Sequence, residues 1–191
     1  MNKIRRRMGG ILGLALLFTV VGAGAQAAPA TGADGTAVFL QKAMEGSMAE
    51  IELGELAQKN AASTGINALG SRLARDHRRI GKMLQLICQD RGVVLPASLG
   101  GDHRSIIDGL SEKRGTEFDA AYAERMVISH EQLIALFDEA AGGSDADVAE
   151  FARRALPVLK EGKRLAEVYR EVTSKYRPQE QGITQAVARK D

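Results

Sequence analysis

The 191-residue chain contains no tryptophan, a single cysteine and four prolines, and aromatic residues make up 4% of it. One cysteine, Cys88, excludes an internal disulfide. So few aromatic side chains leave no stacking platform for single-stranded nucleic acid. β-branched runs are scarce, which speaks against a sheet. Gly-x-Ser-x-Gly, a phosphate-binding Gly-x-x-x-x-Gly-Lys loop, a dinucleotide fingerprint and His-Glu-x-x-His are all absent. Ser47 falls within a helical pattern, not at a strand-to-helix elbow, and is not presented as a nucleophile.

What the chain does contain begins with its first residues. Lys3, Arg5, Arg6 and Arg7 precede the apolar run Ile11 to Val21, and Ala25-Gln26-Ala27 fits a small-residue cleavage site. That order is expected of a secretory signal peptide over residues 1–27. The run is too short to span a bilayer, which takes about 20 apolar residues. A periplasmic or secreted location follows, with no transmembrane span after processing near Ala27. No cysteine stands beside the cleavage site to accept a lipid. The whole chain carries 26 Lys and Arg against 24 Asp and Glu. The leader holds four of the bases and none of the acids, so the mature chain is net acidic. Export and this balance both argue against a nucleic-acid partner.

The remaining stretch of about 160 residues suits one domain with one core. Residues 28–36 read as a flexible lead-in, residues 37–176 as the folded domain and residues 177–191 as a loosely held polar tail. A first helix is expected from about Ala37 to Asn60. Ser63 or Thr64 can cap a second that ends near Arg91, with Gly92 as its stop. Ile66, Leu69, Leu73, Ile80, Leu84 and Ile87 recur at three- and four-residue steps along it. Cys88 lies on the same face, where a small buried residue is expected.

A short helix from Asp102 to about Lys113 follows a break at Val93-Val94-Leu95-Pro96. Thr116 with Asp119, and Ser144 with Asp147, resemble capping boxes that open two more long helices. The first of these ends at Gly142-Gly143; the second runs to about Tyr176, with Pro157 inside it predicting a kink. Four amphipathic helices in one chain bury their stripes on one another, most simply as an antiparallel bundle. The long link between the second and third of them, residues 92–115, allows a crossover that carries the short extra helix.

Several stretches carry a family likeness in their order and spacing. They are Ala49-Glu50-Ile51-Glu52-Leu53-Gly54, Arg75-Asp76-His77, Glu117-Phe118-Asp119 with Tyr122 and His130, and Leu156-Pro157-Val158-Leu159. Together, over roughly Thr36 to Tyr169, the chain resembles a ferritin-like bacterial envelope domain of unknown function, of the type labelled "predicted outer membrane protein". The resemblance implies an all-α, ferritin-like four-helix bundle and an exported location, and no established reaction. Family members often carry a histidine where this chain has Gly162, so one candidate metal ligand is missing. The outer-membrane label finds no support in the residues, which show no alternating barrel strands.

Three ionisable residues interrupt or border the apolar stripes of three helices: Glu50, His77 and His130. Buried charge is costly unless paired or metal-bound. These groups are therefore expected to form a transition-metal site for iron, manganese, zinc or copper, a hydrogen-bonded network, or a water-facing edge. A di-iron centre is disfavoured, because Glu-x-x-His is absent: Ala74, Val127 and Gly100 stand three residues before His77, His130 and His103. His103 is expected to be exposed.

Met44, Met48, Met83 and Met126 read as core filler more readily than as copper ligands. Arg72, Arg75, Arg78, Arg79 and Lys82 make the second helix basic, either a solvated face or a dock for an anionic envelope surface. The sequence is best read as a non-catalytic binding or protective protein of the cell envelope, stress-linked. The alternative is a metal-binding or metal-dependent oxidoreductase or storage protein with its site in the bundle core.

Overall fold

The computed structural model describes the backbone of residues 33–188 and the side chains of residues 35–175. It is all-helical over that span. The helices are α1 (Ala33–Asn60), α2 (Thr64–Arg91), α3 (Gly101–Ser111), α4 (Gly115–Ala141) and α5 (Ala146–Ala188). The expected leader lies outside the described residues. No helix among the described residues is long and apolar enough to cross a membrane.

Local chemistry explains most of the helix ends. Ser63 Oγ accepts the Ile66 N–H at 3.2 Å and caps α2, a contact worth about 1 kcal/mol. Gly92 closes the same helix in the left-handed region, φ 64°. The Gly92 and Val93 N–H groups then return to the Gln89 and Cys88 carbonyls at 3.3 and 2.9 Å, as a glycine stop requires.

Other ends depart from the expected pattern. α1 starts at Ala33, within the expected lead-in, and α5 continues past Tyr176 to Ala188 and passes through Pro157 unbroken. Asp145, not Ser144, caps α5 by accepting the Val148 N–H at 3.1 Å. Asp147 pairs instead with Arg91 at 3.2 Å.

Asp119 is the larger correction. α4 begins at Gly115, with Arg114 at its N-cap and no side-chain cap bond. Asp119 is buried, and its two oxygens accept the N–H groups of Ala62 and Ser63 at 3.0 and 2.9 Å. It therefore anchors the α1–α2 turn rather than capping its own helix. Asn60 adds bonds to the Lys113 and Ser111 carbonyls, and Ala61 makes an isolated bridge to Gly115. One end of the molecule is thus stitched across both turns. At the other end Arg91 grips Asp145 at 2.8 Å, joining the end of α2 to the start of α5.

α1 packs along α2 and α4 along α5, while α1 also meets α4 and α2 meets α5. Glycines set the closest approach. A Cβ on Gly70 would stand 2.5 Å from Ala57 Cβ, and one on Gly54 would stand 2.8 Å from Ala74 Cβ, so the two backbones nearly touch there.

The buried apolar side chains form two groups. One gathers Phe39, Leu40, Leu84, Phe137, Phe151 and Leu159; the other gathers Leu53, Ile66, Leu73, Phe118, Tyr122 and Met126. Cys88 is buried in the first, and burial pushes its thiol above the ordinary range, with Arg91 opposing. Met44 and Met126 fill core space as expected, but Met83 is exposed. Arg72, Arg75, Arg78, Arg79 and Lys82 of α2 all face solvent, and two of these five form ion pairs, Arg72 with Asp76 and Arg78 with Glu55.

Replacing Asp119 with alanine leaves two turn N–H groups without an acceptor. The expected loss is about 2–3 kcal/mol in urea unfolding, against about 1 kcal/mol for a helix cap alone. A loss under 1 kcal/mol contradicts the anchoring role.

Candidate metal centre

Between the two apolar groups lies one polar level to which all four long helices contribute. α1 supplies Ser47 and Glu50, α2 His77, α4 Ser129 and His130, and α5 Gly162. Each ionisable member sits where a stripe of apolar residues would place a core side chain: Glu50 before Leu53, His77 between Leu73 and Ile80, His130 between Met126 and Leu133. Packing of the flanking turns therefore forces these groups inside. Glu50 and His77 are 2% exposed and His130 1%.

One ligand atom from each of Glu50, His77 and His130 lies within 4.8 Å of the others. Ligands on a shared tetrahedral transition metal stand about 3.4 Å apart, given bonds near 2.1 Å. A contraction of up to about 1.4 Å would close the set around an ion. The two imidazole rings meet edge to face, with centroids 5.5 Å apart and planes at 82°.

The hydrogen bonds are incomplete in a telling way. Ser129 Oγ donates to Glu50 Oε1. Glu50 Oε2 has no hydrogen-bond partner and stands 3.9 Å from His130 Nδ1. His130 Nδ1 lies 2.9 Å from the Met126 carbonyl. A carbonyl only accepts, so Nδ1 carries the proton and Nε2 keeps its lone pair in the neutral ring. His77 Nδ1 is buried without a partner, as are Ser47 Oγ and the Tyr122 hydroxyl. Each such orphan costs about 1–3 kcal/mol.

Burial is the main force on the His77 imidazole, and it lowers the pKa from 6.5 to about 4. Glu50 opposes it, His130 adds to it and Asp76 opposes it weakly. His77 is therefore neutral near pH 7, with a nitrogen lone pair free for a metal. The Tyr122 phenol is held far above its usual range, by burial first and then by the charge of Glu50. Asp76 stays outside the cluster, paired at the surface with Arg72 at 3.5 Å.

Gly162 closes the fourth side. A Cβ there would collide with His130 Nε2, approach His130 Cδ2 to 2.7 Å and meet Leu73 Cδ2 at 3.1 Å. Gly162 thus faces His130 directly. Ser129 and Tyr122 were not singled out in the sequence as parts of a site, whereas Gly162 was marked there as the place of a missing candidate ligand. Ser129 could have been, since it adjoins His130 on the inner face of α4. His103 and Asp119 do not join the cluster; His103 is half-buried on α3.

Two outcomes follow for protein kept in a chelator. The unfolded chain binds a proton on His77 near pH 6.5, and the native state refuses it until about pH 4. Stability is full above that window and falls through it by up to about 3 kcal/mol. Urea melts from pH 7.5 to 4 measure the slope, and His77→Gln is expected to flatten it. Gly162→Ala is expected to cost about 1–3 kcal/mol by overpacking, read in the same melts. No loss in Gly162→Ala would show that His130 yields freely.

No curated protein and no solved structure matches the chain. A protein-family match does cover residues 21–168, most of its length, and the domain it describes has no assigned function. The cluster and α1 to α4 lie within that match, as does the first half of α5, and the chain belongs to the family described as Domain of unknown function (DUF4142).

Proposed function

We propose that the protein is an exported cell-envelope protein holding one divalent transition-metal ion in the core of a ferritin-like antiparallel four-helix bundle. Glu50, His77 and His130 are the ligands. The reading is carried by one observation: three ligand atoms converge within 4.8 Å in a buried site, and Glu50 Oε2 and His77 Nδ1 have no other partner. One carboxylate and two neutral imidazoles suit iron, manganese, zinc or copper, and three protein ligands leave a coordination position open. The role that follows is metal binding, protective or storing, with no catalytic step assigned.

Support for the bundle comes from the stitched ends. The start of α4 bonds to the α1–α2 turn, and the start of α5 bonds to the end of α2. Residues 92–114, with α3, therefore travel from one end of the molecule to the other. Such a span supports the reading, because a ferritin-like bundle needs one long crossover.

A purely structural hydrogen-bonded network is the second reading, favoured by the Ser129–Glu50 and His130–Met126 bonds. It leaves the two orphan atoms unexplained. Elemental analysis of protein purified without an affinity tag, followed by thermal melts, separates the readings. Metal binding predicts about one equivalent of metal and a gain of about 2.7 kcal/mol at a hundredfold excess over Kd. Both are lost in His77→Ala and Glu50→Gln. If no divalent metal binds or shifts the wild-type melt, while His77→Ala still costs about 1–3 kcal/mol, the network alone stands.

A further inference from the structure

A cleft of about 200 Å³ opens between α1 and α4 beneath α3. Glu50 and Ser129 line it, while His77 and His130 do not. Leu53, Ile106, Leu133 and Leu136 give it apolar walls, and Arg125 and Lys42 bring positive charge to it. Its volume is below the 300 Å³ or so of a typical drug-sized pocket. It holds roughly seven waters at about 30 Å³ each, or a molecule of a few carbons.

Arg125 is the unusual wall. Its Nη2 donates to Gln132 Oε1 at 3.1 Å, and its Nε is buried with no partner. Nearby cations are neutralised in pairs: Arg104 with Glu52 at 2.9 Å, Lys163 with Glu131 at 3.0 Å, Arg170 with Glu124 at 3.7 Å. Among the described residues Arg125 and Lys42 have no such carboxylate. The acids in the walls are engaged elsewhere, Glu45 by the Gly100 N–H at 2.6 Å and Glu50 by Ser129. A guanidinium that has no carboxylate partner within the protein matches an anionic carboxylate by charge and by its remaining N–H groups. Glu45 and Glu50 would repel a dianion such as phosphate more than a monoanion, and four aliphatic walls call for an alkyl chain.

We propose that this cleft binds a short-chain monocarboxylate of about four to six carbons. The carboxylate sits on Arg125 and Lys42, and the alkyl chain lies along Leu53, Ile106, Leu133 and Leu136. The site goes beyond the metal reading and stands on different residues except for Glu50.

The test is calorimetric titration of the full chain with acetate, butyrate and hexanoate at constant ionic strength, with inorganic phosphate as the comparison. Saturable one-to-one binding is expected, tightening about fourfold per added methylene until the cleft is full. Arg125→Gln is expected to weaken hexanoate at least tenfold and exposed Lys42→Gln about threefold. Arg164→Gln, which removes a surface cation paired with Glu161, leaves it unchanged. Absence of saturable binding overturns the proposal, as does phosphate binding without carboxylate binding. Equal affinity in wild type and Arg125→Gln also overturns it. Should Arg125→Gln fail to fold, no effect of Lys42→Gln together with no chain-length dependence in the wild type is decisive against it. Repeating the titration in a chelator keeps the two readings apart: saturable carboxylate binding persists without metal, weakened only by the charge then left on Glu50.

Discussion

Glu50 brings a carboxylate into the interior of the molecule, where an uncompensated charge costs several kcal/mol. Two imidazoles, a serine hydroxyl and a side-chain-free glycine lie at the same level, supplied by α2, α4 and α5. The apolar core divides around this level into two groups, and neither could close over the carboxylate alone. Helical register is therefore demanding. α1, α2 and α4 are each about 40 Å long at 1.5 Å per residue, and a slip of one turn would move a ligand about 5.4 Å, beyond reach of its partners.

The ends of the helices supply that register. Asp119 and Asn60 tie the α1–α2 turn to the start of α4, while Arg91 ties the end of α2 to the start of α5. With both ends pinned, residues 50, 77, 130 and 162 stay level. The Gly54–Gly70 approach serves the same purpose laterally. It draws α1 and α2 close enough for Glu50 and His77 to share a ligand-sized space. Bulk at either glycine would push those helices apart.

Much of this arrangement is written in periodic patterns that a single sequence displays. The stripe from Ile66 to Ile87 marks α2 and its inner face, and Ser63 and Gly92 mark its ends. Glu50, His77 and His130 stand out because each occupies or borders a position that the stripe assigns to an apolar residue. The interactions of Asp119 are not legible in that way. Its spacing from Thr116 has the form of a local cap, whereas its partners, Ala62 and Ser63, lie more than fifty residues away in sequence. Gly162 stands out only through the family resemblance: a glycine contributes no hydropathy signal, and packing alone reveals that it faces His130. The end of α5 is not legible either, since the stretch after Tyr176 carries no apolar stripe and contains Pro178 and Gly182, which speak against a helix.

Glu50 also links the two proposed sites. Its Oε2 stands 3.9 Å from His130 Nδ1, its Oε1 accepts the Ser129 hydroxyl, and the residue also lines the α1–α4 cleft. A cation on the inner oxygen neutralises the charge that a carboxylate ligand in the cleft would otherwise meet. The two binding events then favour each other, and linkage requires the effect to be equal in both directions. The hydroxyl proton of Ser129 is committed to Glu50 and cannot also serve a ligand in the cleft. On the two proposals, one buried carboxylate borders both a cation site and an anion site, and its charge is what couples them.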